Sequence, residues 1–388
     1  MCHSSRGVTL EKIDIINYNL PGIIVSVADS GHKINHYSAG VSDVENDTPF
    51  SPDHIFQNGR ITRTFTAALV LKLVEKGVLD LDMPIDILAD EYVLDGGRLR
   101  LIVNQYPYLK PITLRELLNH TSGIPSYDQT IQYQHMLFKN PRKVWQMEEY
   151  LDLITGKEVR YLLGYKLPVR GLFGDSTTNY IIVTLILEAA VGQRISQQMR
   201  LFFDLLGLKN TYYLSYGVLE RTLLPRLVHG YLPISHPWAE AFRKLPILTY
   251  NDNRELQVYD VTDAYNFNGL AGSASLSTTS DLIHWLKVLV QGKVLTSSFH
   301  EMFNAIPVNL KANSHDDKDF YGLGIYKTIS KRYGEIIWNA GNNFGYGALM
   351  AYSVDKNIAF ALMINVSRQV INIHNDRVVA DVLHQVLG

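Results

Sequence analysis

The chain has 388 residues, 46% of them apolar and 11% aromatic, which is ample for one large packed domain or two fused ones. Its 36 lysines and arginines against 38 acidic residues leave no field of one sign to draw nucleic acid or an anionic membrane surface. The single cysteine, Cys2, excludes an internal disulfide framework and any multi-cysteine zinc site, and no apolar run is long and unbroken enough to span a bilayer.

The start, Met1 to Gly7, has no apolar stretch behind it. As written, the chain reads as cytoplasmic, and as periplasmic or secreted if a signal peptide has been removed. Ile13, Ile15 and Ile16 give residues 10–18 helical spacing. Pro21-Gly22 and the β-rich run Ile23–Ala28 follow, and a turn at Asp29-Ser30-Gly31 leads to a return strand over Lys33–Tyr37. From Ile61 to Lys76 the pattern is apolar on nearly every side (Phe65, Ala68, Leu69, Leu71, Val74), with Gly77 placed to close it, so this helix is expected to be buried. Asp80–Pro84, Pro111–His120 and Tyr180–Val191 predict a mainly helical middle with long polar loops.

Residues 214–268, with Pro225, Pro233 and Pro237, read as a loop-rich stretch that lines a groove. Tyr212, Tyr213, Tyr231 and Trp238 lie in or near it, where packing is their default role and ligand contact the alternative. Ser280–Val290 is an amphipathic helix, and Tyr321–Lys327 and Glu335–Asn339 have the composition of strands. Ala348–Val354 and Ile358–Asn365 form a hairpin about Asp355-Lys356-Asn357, and Val378, Val379, Val382, Leu383 and Val386 share one face of a closing helix. The expected fold class is α+β: an antiparallel sheet built from both chain ends (1–78 and 269–388) and flanked by helices, with a mainly helical inserted domain (79–268). Ser30-Gly31-His32-Lys33 falls in a hairpin turn, and His315-Asp316-Asp317-Lys318-Asp319 reads as a solvated loop. No cofactor or metal is called for.

The landmarks that carry most information are Phe56-x-x-Gly59-x-Ile61-Thr62-x-Thr64-Phe65-Thr66-Ala67, Glu75-x-Gly77-x-Leu79-x-Leu81-Asp82, Thr113-Leu114-Arg115-x-Leu117-Leu118-x-His120-Thr121-Ser122-Gly123-Ile124-Pro125, Leu206-Gly207-Leu208-x-x-Thr211, Gly272 to Asp281, Tyr321-Gly322-x-Gly324 and Ala340-Gly341-x-x-x-Gly345-Tyr346. In register, they make the chain resemble the serine β-lactamase and penicillin-binding-protein family, in its class C β-lactamase, esterase and D-aminopeptidase branch. The resemblance runs from about Pro21 to the C-terminus and implies a β-lactamase/transpeptidase-like fold. It also implies a site in which a serine attacks a carbonyl, a lysine three residues on accepts its proton, a Tyr-x-Asn tyrosine assists, and a His-x-Gly or Lys-Thr-Gly strand lines the pocket.

Carried over position by position, the serine falls on Arg60, the lysine on Arg63, the tyrosine on Asp175 with Ser176 matching, and the strand residue on Asn339, followed by Gly341. A guanidinium has no nucleophilic oxygen and stays protonated, so it can neither attack nor accept a proton. The resemblance therefore implies a pseudoenzyme. Its candidate ligand-binding residues are Arg60, Arg63, Asp175, Ser176, Asn339, Gly341 and Tyr346, and its expected partner is an anionic small molecule, a peptide or a protein. Two arginines at the positive end of a helix dipole need anions nearby, so Asp175 is expected to pair with Arg60 or Arg63 and plug the pocket, the alternative being an arginine pair that stays partly free and holds a carboxylate or phosphate ligand. The alternative is a divergent hydrolase or acyltransferase (an esterase, β-lactamase or D-peptidase) using Ser176, Thr62 or Thr64, although His120 in its His-Thr-Ser-Gly turn reads as structural. A purely structural or filament-forming role is a third possibility that the sequence neither supports nor excludes.

Overall fold

In a computed structural model, residues 10, 18–29, 33–156, 158–214, 220–251, 255–263, 272–310, 317–367, 371–374 and 376–388 are described. Ile23–Ala28 is apolar at every position but Ser26, the pattern of a strand covered on both faces, and it forms most of β1 (Gly22–Ala28). β2 (Ile34–Asp43) returns beside it, β3 (Thr48–Pro49) follows, and β4 (Phe56–Gln57) runs into one turn of 3₁₀ helix at Gly59–Ile61 and then helix α1 (Thr62–Glu75). The middle of the chain is mainly helical: α2 (Ile85–Glu91), α3 (Arg98–Gln105), α4 (Leu114–Leu118), α5 (Ile131–Lys139), α6 (Met147–Thr155), α7 (Thr177–Val191) and α8 (Ile195–Leu206). After these come β5 (Tyr212–Tyr213), β6 (Tyr231–Pro233), β7 (Ile247–Asn251), β8 (Glu255–Asp260), β9 (Ser275–Ser277), α9 (Thr279–Val290), α10 (Phe299–Phe303), β10 (Ile306–Val308), β11 (Lys318–Tyr321), β12 (Tyr326–Ser330), β13 (Gly334–Asn343), β14 (Tyr346–Ser353), β15 (Ile358–Ile364) and α11 (Arg377–Leu387).

The main sheet has nine antiparallel strands in the order β10-β11-β12-β13-β14-β15-β1-β2-β3. The N-terminal strand closes onto the C-terminal hairpin, with Ile23 opposite Ile364 and Ala28 opposite Ala359, so the sheet is assembled from both chain ends as expected. Period-two alternation assigns its faces. Ile24 and Ala28 with Ala359, Ala361 and Met363 join the larger core, which includes α1, α7 and α9. Ile23, Val25 and Val27 with Phe360, Leu362 and Ile364 join a second core under α11, whose Val378, Val379, Val382, Leu383 and Val386 face inward as their spacing predicts. Asp376 caps that helix by accepting from the N–H groups of Val378 and Val379.

Four expectations need correction. Tyr321–Lys327 is two strands, because Gly322–Ile325 forms a tight turn closed by Gly322 N–H donating to Ile325 O (2.8 Å); Gly324 has φ +76° and its backbone lies against Arg63 O. The stretch after residue 214 is less loop-like than its prolines suggest. It holds a second sheet, β6-β8-β7, in which Pro233 ends a strand and needs no ladder N–H. Asp80–Pro84 precedes helix α2 instead of forming one. The candidate helix at 10–18 and the turn at 29–33 fall mostly on residues outside those described; the stretch expected as a solvated loop at 315–319 runs into β11, where Asp319 is buried and accepts from Thr328 Oγ1 (2.6 Å).

Candidate functional site

Two helices buried on all sides set the geometry. α1 and α7 start side by side in the larger core, so the first turn of α1, carrying Arg63, meets the residues just before α7: Asp175, Ser176 and Thr177. Strand β13 is pressed onto the Gly59–Ile61 turn, where a Cβ at Gly341 would lie 1.9 Å from Asn58 O and one at Gly59, whose φ is +54°, 2.7 Å from Asn342 N. Only glycine allows this approach, and it brings the Arg60 backbone against strand β13.

Arg63 is buried, with its side chain 2% exposed. Its Nη1 donates to both Asp175 carboxylate oxygens (3.1 and 3.0 Å) and Nη2 to Thr177 Oγ1 (3.3 Å), while the guanidinium lies 5.3 Å from the centre of the Tyr180 ring. Nε has no acceptor among the described residues. Arg60, one turn nearer the surface, is 42% exposed and only loosely paired, 3.9 Å from Asp175 and 4.0 Å from Asp128. Asp128 also accepts from Thr177 Oγ1 (3.1 Å). The group is therefore two guanidiniums and two carboxylates.

Their mutual effects are strong. Burial alone would push the Asp175 carboxyl up, but Arg63 and then Arg60 more than reverse this and hold it well below the usual carboxylate range. Burial likewise works against the charge on Arg63, and Asp175 outweighs it, so that guanidinium is protonated more firmly than usual. His120 is fully buried, with a left-handed backbone (φ 61°). Its Nδ1 lies 3.2 Å from both Ser176 N and Asn179 Nδ2, and its Nε2 3.1 Å from Arg63 Nη1. All three neighbours are donors and a neutral imidazole has one ring nitrogen able to accept, so whichever nitrogen accepts, the other faces a donor at close approach. Burial, with Arg63 and Arg60 adding and Asp175 opposing, lowers the His120 pKa to about 3.

The structure brings Arg60, Arg63, Asp175 and Ser176 together. Ser176 is fully buried and its hydroxyl has no hydrogen-bond partner among the described residues. The other candidate hydroxyls are engaged elsewhere: Thr62 donates to Gly59 O (2.7 Å) and Thr64 to Ile61 O (2.9 Å). Asn339 is buried and donates to Gly324 O (2.7 Å), tying β13 to the β11–β12 turn. Asn339→Ala is expected to remove about 1–3 kcal/mol of stability by orphaning that carbonyl, measured as a fall in the urea midpoint at unchanged slope. Tyr346 packs away from the charged group: its ring lies against Gly230 and its hydroxyl donates to Val228 O (2.7 Å). Asp128 was missed because nothing in Tyr127-Asp128-Gln129 marks it. The signal that would have found it is charge balance, since two arginines at one helix start call for a second carboxylate.

This fold has counterparts. The family model for beta-lactamase matches residues 10–384. The chain belongs to the beta-lactamase family. Among its beta-lactamase-family relatives, penicillin-binding protein 4* of Bacillus subtilis (strain 168) is 26% identical over 339 residues, 85% of this chain and 65% of that protein. The mitochondrial serine beta-lactamase-like protein LACTB of Mus musculus is 32% identical over 115 residues, 29% of this chain and 19% of LACTB. The chain thus spans less than two thirds of the length of these relatives. D-amino acid amidase from Ochrobactrum anthropi SV3 superposes with a TM-score of 0.74 at 23% identity, covering 95% of this chain and 93% of that one. The penicillin binding protein from Bacillus halodurans gives 0.68 at 16%, covering 95% and 97%. At these identities the likeness to the solved structures is one of beta-lactamase-type fold. No helix among the described residues is long and apolar enough to cross a membrane.

Proposed function

We propose that this beta-lactamase-family protein lacks serine hydrolase activity and binds a ligand or partner through the former active-site cleft. The observation that carries the reading is the Arg63–Asp175 pair. Where the family motif calls for a lysine base and a tyrosine, a buried guanidinium is locked onto a carboxylate, and the residue in the serine position is Arg60. Neither arginine can attack a carbonyl or take up a proton. Arg60, exposed and loosely paired, is the cation left to meet the carboxylate of a small molecule, peptide or protein.

The competing reading is a divergent hydrolase. The observation in its favour is the Ser176 hydroxyl, without a hydrogen-bond partner among the described residues and beside His120. Against it stand the burial of that hydroxyl and the low basicity of His120. The test is labelling with a fluorophosphonate and turnover of nitrocefin. The wild-type chain is expected to do neither, and the triple variant Arg60→Ser, Arg63→Lys, Asp175→Tyr to gain measurable ester hydrolysis. Stoichiometric labelling of the wild type that disappears in Ser176→Ala overturns the proposal.

A further inference from the structure

A groove of about 530 Å³ lies between the end of α5 and residues 240–245, and none of Arg60, Arg63, Asp128 and Asp175 lines it. That volume is in the range of small-molecule sites. One wall carries Lys139 and Arg142, the other Arg243 and Lys244, and the one carboxylate in the lining is Glu240. The lining also holds Phe138 and Phe242, which share one aromatic cluster with Trp238 and Phe344. Phe138 stands edge-on to Trp238 (5.7 Å), Trp238 meets Phe344 (5.8 Å), and buried Phe242 meets Phe344 from the other side (5.4 Å).

The two ion pairs on these walls are solvent-exposed. Arg243 pairs with Glu240 (2.6 Å) and Arg142 with Asp263 (3.6 Å), but all four side chains are exposed, and ion pairs in water contribute little. Such pairs open readily for a better-placed anion. Lys139 and Lys244 are exposed and join no ion pair among the described residues. Positive charge on both walls beside the aromatic lining selects against cations and gives a neutral ligand no electrostatic gain. It favours a ligand that reaches both walls at once, with an acidic group for each.

We infer that this groove binds a small organic anion bearing at least two acidic groups on an apolar body, at a site separate from the cleft. Lys139 and Lys244 hold the acidic groups, and Phe138 receives the apolar part. The phosphate, carboxylate or sulfonate nature of the acid matters less than its charge and spacing, because ammonium groups recognise it as point charges.

Calorimetric titration of the full chain with naphthalene disulfonate tests this. Binding is expected at low salt and should weaken as salt is added. Lys139→Glu with Lys244→Glu should weaken it by about tenfold or more by placing like charge opposite the acids, and Phe138→Ala should weaken it through the lost apolar contact. Arg60→Ala should leave it unchanged. The charge reversals sit at exposed positions, and circular dichroism melting checks that the fold survives them. Absence of binding, binding indifferent to the double reversal, or binding lost in Arg60→Ala would each overturn the inference, the last by moving the anion into the cleft.

Discussion

Acidifying the protein from about pH 6.5 to about pH 3 is expected to remove about 4–5 kcal/mol of unfolding free energy through His120 alone, at about 1.4 kcal/mol per pH unit. The folded pKa lies below the unfolded one. Above about 6.5 both states hold a neutral ring, and the stability is fully present. Below that, the unfolded chain takes up a proton that the folded chain refuses until the pH reaches about 3, so stability falls across the whole interval. The refusal is structural: burial, Arg63 and Arg60 disfavour an imidazolium more than Asp175 favours it. His36, His54 and His236, also lowered by burial, add to the slope, whereas His229, raised first by its hydrogen bond to Asp260, is protonated in both states below about 6.5 and acts on stability only above that pH. The difference between wild type and His120→Gln isolates the one ring. Urea unfolding across this interval should give a flatter profile for the variant, and parallel profiles would show that His120 is not the group responsible.

Asp175→Ala should lower stability at neutral pH by about 3–5 kcal/mol, the range for stranding one member of a buried ion pair. Arg63 would keep its contact with Thr177, but its 2% exposed guanidinium would lose its only close carboxylate among the described residues. Because the folded pKa of Asp175 is depressed, its contribution is complete above the ordinary carboxylate range and decays only in stronger acid. The loss should therefore appear undiminished at pH 7. Pairing the change with Arg63→Met should recover most of it, since apolar replacement of a whole buried pair is often neutral or stabilising. A loss below about 1 kcal/mol in the single variant, the scale of an exposed pair, would mean that Arg63 does not depend on Asp175.

Much of the fold was legible because its elements obey simple periods. β1, the β14–β15 hairpin and α11 each bury one or two regular faces, and α1 carries apolar residues on nearly every side, from which its burial followed. The second sheet was not legible, because its strands are short and its prolines stand at strand ends, where they look like loop residues. In the site, the helical spacing of Arg60 and Arg63 placed them together but said nothing of depth. Their different fates depend on α7 covering the deeper residue, a contact between segments more than a hundred positions apart. Asn339 and Tyr346 were read as lining residues from their place in a motif. Their side chains instead hold the backbone of neighbouring turns, where a buried amide or hydroxyl must find a partner. Local pattern reports which face is apolar, and it does not report which polar atom a distant carbonyl will claim.

The pairing of two guanidiniums with two carboxylates at the cleft also has a kinetic side. At contact each charge is strong, but a few ångströms into solvent the four largely cancel. A charged ligand approaching the mouth therefore gains little long-range attraction, and its association rate should stay near the unsteered ~10⁵–10⁶ M⁻¹s⁻¹ and change little with ionic strength. Discrimination at such a site is expressed after arrival, in how long a ligand stays once Arg60 has exchanged a loose carboxylate for a close one.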